Sequence, residues 1–133
     1  NSGLLQIFSR ILNPILSKLF PSLPKNHKAL GYIASNIAAN MLGLGSAATP
    51  FGLKAMEALQ EDNLKKDTAT EAMITFLVLN TAGVTLIPTT VIAIRSSLGS
   101  ENPTAIIIPV WIATICAACA GIVATKIFIK LGK

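Results

Sequence analysis

The sequence predicts an all-α integral membrane protein: an amphipathic N-terminal helix, two interrupted helical segments or hairpins, and one full transmembrane helix. Three observations predict it. Apolar residues make up 52% of the 133-residue chain and charged residues only 13%, with a mean hydropathy of +0.63, where a soluble domain carries about 25% charge. The shortage is blockwise. No charge occurs between Lys28 and Lys54, between Glu71 and Arg95, or between Glu101 and Lys126, and each interval exceeds the roughly 20 residues that cross a bilayer. Two of the three blocks are also interrupted at corresponding places by asparagine, glycine and a proline beside threonine.

Taken in order, residues 3–20 set Leu4, Leu5, Phe8, Ile11, Leu12, Ile15, Leu16 and Leu19 at helical spacing, with Arg10, Asn13, Ser17 and Lys18 between them. Such a stripe suits either the membrane interface or packing against the rest of the protein. Pro14 should begin or kink a turn there, and residues up to 25 read as this interfacial helix and its connector. The first block should start at Asn26 as N-cap and run to about Leu42, where Gly43 and Gly45 end it. Thr49–Pro50 then restarts a helix, with Pro50 in the first turn, and its Lys54, Glu57, Glu61 and Asp62 carry it into water.

The second block repeats this order. Thr68 and Glu71 have capping-box spacing, and the apolar run from there meets Asn80, Thr81, Gly83 and Thr85 before Pro88 and a short helix to about Leu98. A loose internal repeat follows: apolar helix, asparagine, neutral glycine-containing stretch, proline beside threonine, exit helix. The third block opens at Asn102–Pro103 and continues to about Leu131, with a kink expected at Pro109. Ala113, Ala117, Ala120, Gly121 and Ala124 form a small-residue stripe that would let helices approach closely in lipid.

The two interruptions are the candidate site. Irregular backbone at membrane depth survives only where protein or a water-filled cavity supplies hydrogen-bond partners, and paired interruptions point to a transporter's binding site. Tyr32, Asn36 and Asn40 recur every four residues and end at the first break, with Asn80, Thr81 and Thr85 as counterparts in the second. Half-helix starts at Thr49 and Thr89 would aim free N–H groups at a polar ligand. The competing reading is that these amides cap helix ends and bind helices together. Gly43, Gly45, Pro50, Gly83 and Pro88 are the hinge positions.

No Asp, Glu, Lys or Arg falls inside a block, so a neutral hydrogen-bonding solute, such as a nucleoside, suits the site better than an ion. The net charge of +5 is scattered rather than clustered, which argues against nucleic acid. Cys116 and Cys119, without further cysteines, read as small packing residues, and His27 as a surface or interface residue. No nucleophile–base set, metal cluster or phosphate loop occurs, so neither an enzyme nor a cofactor or metal is expected. If each block crosses once, Arg10, Lys18, Lys25, Lys28 and Arg95 face one side and Lys54, Lys65, Lys66, Lys126, Lys130 and Lys133 the other, which leaves orientation undecided. The N-terminus lacks an initiator Met, a basic leader and a cleavage site, so further hydrophobic sequence is expected upstream.

The stretches "SNIAANMLGLGSAATPFGLKAMEALQ" and "MITFLVLNTAGVTLIPTTVIAIRSSLGSENPTAII", with "SGLLQIFSRILNPILSKLFPSLP", resemble the spore maturation protein A family of endospore-forming bacteria, within the nucleoside-recognition or Gate domain superfamily. The resemblance covers nearly the whole chain as one Gate-type membrane domain. It implies a multi-pass cell-membrane protein acting with a paralogue, spore maturation protein B, in dehydration of the spore core. Three blocks are too few to enclose a path, so a homodimer or that paralogue is expected to complete it. The expected function is a solute transport or gating component of spore maturation. The rival is a non-transporting scaffold for a sporulation or cortex-modifying complex.

Overall fold

The computed structural model describes residues 3–131, and among these the chain is helical throughout, with no strand. The helices are α1 (Gly3–Leu19), α2 (Lys28–Met41), α3 (Gly45–Glu61), α4 (Glu71–Thr81), α5 (Thr89–Ser97) and α6 (Ile107–Leu131), with a 3-10 turn (Pro103–Ile106) leading into α6. The side chains of Leu4, Leu5, Phe8, Arg10 and Asn13, like the whole of Lys133, lie outside the described residues.

α1 passes through Pro14 without ending, contrary to the expected turn. It packs on α2 through Leu12, Leu16 and Leu19, and Leu16 and the following Phe20 are almost fully buried. Ile7, Ile11 and Ile15 form a second apolar row and stay more than half exposed (56%, 61% and 58%). The helix is therefore both packed and outward-facing.

The first block folds back on itself. α2 and α3 pack on each other more extensively than any other pair, joined by a tight turn at Gly43 with φ +72°. Their bases meet again: His27 Nε2 lies 2.6 Å from Asp62 Oδ2, and Lys28 pairs with Glu61. The block is a hairpin that returns to the end it left. Fully buried alanines at 29, 34, 38, 55 and 58 line its seam, and such small residues let backbones approach closely. With 14 residues, α2 is about 21 Å long, short of the ~30 Å hydrocarbon thickness.

Local chemistry moves several boundaries. His27, not Asn26, caps α2: the Ala29 N–H donates to its Nδ1 at 3.1 Å, which leaves Nε2–H for Asp62. His27 thus acts as cap and clasp between the two helix bases, an interface residue with 9% of its side chain exposed. α3 starts at Gly45, so Gly45 and Pro50 lie within that helix and Thr49 is not its cap. α4 is capped by Thr70 rather than Thr68, the Met73 N–H donating to its hydroxyl at 3.3 Å.

The second block behaves differently from the first. α4, the break and α5 run antiparallel to α6 and the 3-10 turn before it, as one interrupted span-like segment. Gly121 lies against Val78, Thr114 Oγ1 3.5 Å from the Thr85 N–H, Trp111 Nε1 2.8 Å from the Leu86 carbonyl, and Arg95 Nε 3.2 Å from the Pro103 carbonyl. The partner number falls steadily as the other rises. Pro109 sits in the first turn of α6, directly after the 3-10 turn. The face of α6 that packs inward carries Thr114, Ala118, Gly121 and Thr125; Ala113, Ala117, Ala120 and Ala124 of the expected stripe are exposed, as are Cys116 and Cys119.

Pro103–Leu131 is the one stretch among the described residues long and apolar enough to cross a membrane, with 29 residues and a mean hydropathy of 2.4 in its most apolar window. Only 6% of that window is buried within the chain. This topology regroups the charges. The bases of α2 and α3, the start of α4 and the ends of α1 and α6 gather at one pole, with Lys18, Lys25, Lys28, Lys65, Lys66, Lys126 and Lys130, while Arg95 stands at the opposite pole.

The hairpin base should be pH-sensitive. Asp62 is held below the ordinary carboxylate range, chiefly by its hydrogen bond from His27, and Lys28 above the usual lysine value, chiefly by its bond to Glu61. The Asp62 contribution is present above about pH 4 and lost as pH falls through its lowered value; the Lys28 contribution is present below about pH 10 and lost as pH rises through its raised value. Local opening, followed by Ala29 amide exchange corrected for intrinsic rates, should increase below about pH 4. Asp62→Asn should flatten this acid limb; an unchanged limb in that variant would refute the assignment.

Candidate functional site: the crossing of the two breaks

The tip of the hairpin meets the break of the interrupted span, and the two are joined by hydrogen bonds. The Leu86 and Ile87 N–H groups both donate to the Met41 carbonyl, at 2.8 and 3.2 Å. Thr89 Oγ1 donates to the Gly43 carbonyl at 3.0 Å. From the other side, Trp111 Nε1 donates to the Leu86 carbonyl and the Thr85 N–H reaches Thr114 Oγ1. Helix ends leave N–H and C=O groups without partners, and here each break supplies partners for the other. Gly43 is required at the crossing: a Cβ there would sit 2.3 Å from the Ile87 carbonyl oxygen.

One turn from this crossing lies a row of amides. Asn36, 2% exposed, donates through Nδ2 to the Ala48 carbonyl at 2.9 Å. Asn40 Nδ2 donates to Asn80 Oδ1 at 2.9 Å and to Asn36 Oδ1 at 3.4 Å. Asn40 Oδ1 and the Asn80 NH₂ make no hydrogen bond among the described residues. The row therefore presents one acceptor and one donor. A cavity of about 250 Å³ adjoins it, walled also by Thr49, Leu53, Phe76 and Leu77 and lined by no charged residue. A second, of about 320 Å³, lies toward Thr85, Thr89 and Thr90, and Asn40 and Gly45 border both. Asn40 thus borders both a cavity along α3 and α4, which Asn80 also lines, and one along α5.

Asn36, Asn40, Thr49 and Asn80 are brought to the first cavity, and Thr85 and Thr89 to the second. Thr49 arrives from the second turn of α3, its hydroxyl donating to the Gly45 carbonyl at 3.3 Å, so no free helix start points from it. Tyr32 packs on the core one turn before Asn36 and lines neither cavity, nor does Thr81. Gly43 and Pro88 stand at the crossing, and Gly83 borders a further, apolar cavity.

Sequence reasoning missed Gly52, Phe76, Trp111 and Thr114. Trp111, the chain's one tryptophan, and Thr114 sit three residues apart in the apolar first half of α6; such isolated hydrogen-bonding groups were the available signal. Gly52 allows α3 to approach Asn36, since a Cβ there would lie 3.0 Å from Nδ2. Alanine normally stabilises a helix interior by about 0.5–1 kcal/mol relative to glycine. Gly52→Ala should instead cost about 1 kcal/mol through displacement of Asn36, measured by thermal unfolding in detergent micelles. A stabilised variant would show that the contact is slack.

The chain belongs to the Gate family, described as nucleoside recognition, whose pattern it matches over residues 1–101. It is similar to Spore maturation protein A of Bacillus subtilis (strain 168), with 50% identity over 127 residues, 96% of this chain. The chain spans 65% of that relative's length. No solved structure matches it.

Proposed function

We propose that the chain is a membrane-embedded Gate domain of a sporulating bacterium, in which the crossed breaks form a gate for a small neutral solute during spore maturation. The observation that carries this reading is the Asn40–Asn80 hydrogen bond, which closes an uncharged cavity lined by both amides while Asn40 also borders a second cavity. A solute offering a donor beside an acceptor can replace that bond without leaving either amide unpaired in a low-dielectric site. The planar edge of a nucleobase has this pattern and is read by asparagine elsewhere, which agrees with the family's description. The lack of charged lining residues favours a neutral over an ionic solute.

The exposed, apolar α6 supports a multi-pass location in the cell membrane, since hydrocarbon or another membrane chain must cover it. The lysine-rich pole then faces the cytoplasm by the positive-inside rule. With one full span and one interrupted span, a single chain cannot surround a path. A second copy, or the paralogue spore maturation protein B, completes it.

The test is flux of nucleosides and other small neutral solutes into liposomes containing the chain, alone and with the paralogue. Asn40→Ala and Asn80→Ala should each lower flux roughly tenfold, about 1.4 kcal/mol, and the double variant little further because they share one bond. Folded variants with parental flux would refute the gate. Failure of every solute to move, with recovery of cortex-modifying enzymes on the protein, would favour the scaffold reading, which the internally paired backbone of both breaks also accommodates.

A further inference from the structure

A separate cavity of about 270 Å³ lies between α1 and α6. Leu12, Leu16 and Leu19 of α1 and Ala118 and Ile122 of α6 line it, and Asn40 is its one polar side chain. The two helices do not pack directly among the described residues. What joins them is Lys126, whose Nζ donates to the Leu19 carbonyl at 3.1 Å. Lys126 lies one turn beyond Ile122, Lys130 one turn further, and Lys18 directly precedes Leu19. The carboxylates of the hairpin base, Glu61 and Asp62, pair with Lys28 and His27 rather than with these lysines. The cleft is thus apolar along its length and basic where it reaches the polar pole.

Its chemistry selects an occupant. A buried water needs two to four polar partners, and this lining offers one amide. Apolar walls gain dispersion contacts only from apolar atoms placed against them. Ile15, another lining residue, is 58% exposed and opens the cleft to the side where lipid tails would lie. An amphiphile matching both parts has a hydrocarbon chain and an anionic head one helix turn away. We propose that this cleft binds an anionic phospholipid, with one acyl chain between α1 and α6 and the phosphate at Lys18, Lys126 and Lys130.

This site rests on the membrane-embedded reading but not on solute movement. Its position has a consequence for the gate, because Asn40 borders both this cleft and the amide cavity. A bound chain supports Asn40 from behind and favours the closed Asn40–Asn80 bond.

The experiment reconstitutes the full chain in nanodiscs of phosphatidylcholine doped with phosphatidylglycerol, then counts retained lipid by native mass spectrometry. One phosphatidylglycerol per chain should be retained in preference to phosphatidylcholine. Substituting the three lysines together by glutamine should cut that preference by roughly tenfold or more, with helix content unchanged by circular dichroism. Ala118→Trp should exclude lipid of either headgroup. Equal retention of both lipids by the parent, or undiminished preference in the glutamine variant, would overturn the site. So would inorganic phosphate binding equally well in lipid-free micelles, which marks a simple anion site. A chain that does not enter the nanodisc refutes the membrane reading itself; one that enters and retains no phosphatidylglycerol refutes only the lipid site.

Discussion

Gly43→Ala is expected to destabilise the chain by about 3 kcal/mol, adding a left-handed backbone cost of about 1–2 kcal/mol to overpacking of about 1–3 kcal/mol. Both contributions are local and visible. Gly43 has φ +72°, and a Cβ would meet the Ile87 carbonyl oxygen at 2.3 Å and Thr89 Oγ1 at 2.8 Å. The oxygen belongs to the backbone of the other break, so relief requires separating the hairpin tip from the interrupted span. That separation would strip Met41 of the Leu86 and Ile87 donors. Thermal unfolding in micelles reads the loss, and solute flux should fall with it. Gly45→Ala is the matched control: it is the first residue of α3 with no atom within 4 Å of its Cβ position, and its effect should stay within about 0.5 kcal/mol. Equal melting temperatures for the two variants would refute the crossing.

Asn36→Ala should cost about 2 kcal/mol, the range for losing a buried side-chain hydrogen bond and leaving its partner unsatisfied. Its Nδ2 holds the Ala48 carbonyl and its Oδ1 accepts from Asn40, so the variant frees Asn40 from one of its two tethers. Asn36→Asp separates the donor role from mere size. An ionised aspartate would face the Ala48 carbonyl with acceptor against acceptor, and burial would favour its neutral form. Protonation restores a donor, so this variant should gain stability relative to the parent as pH falls from about 7 toward about 5. A variant whose melting temperature is flat over that range would show that Asn36 acts by shape alone.

Much of the architecture was legible because it depends on neighbours in sequence. Helix type, the place of both breaks and the apolar α6 follow from charge spacing and from glycine and proline chemistry. The differences of one or two residues at His27 and Thr70 arose because several polar residues in a row could cap, and at His27 a long-range partner favours one of them. For His27 that partner is Asp62, 35 residues away. Tyr32 shows a different limit. Spacing of four assigned it to the face of Asn36 and Asn40, but periodicity gives the face of a helix and not the depth at which a cavity opens.

Gly45 is expected to help end the first helix and Pro50 to open the next, whereas both lie within α3. Early in α3, a proline forfeits few hydrogen bonds, and packing along the α2–α3 seam outweighs a modest local preference. Of the small-residue stripe of α6, Gly121 packs on α4 while its alanines face outward. Alanine, glycine and cysteine occur all round that part of the helix, so only the position of α4 distinguishes the face of Ala118 and Gly121.

The sequence by itself determined that apolar helices are broken twice by residues that tolerate or require special backbone, and that no charge lies inside them. Those are properties of residue type and local spacing. Only the tertiary structure decided that the first segment turns back while the second runs on, that their breaks cross, and that Asn40 meets Asn80 forty residues away. Hydropathy is indifferent to direction: a helix that returns and one that continues bury the same residues. The choice is made by hydrogen bonds between distant backbone groups, which form only once both breaks are in place.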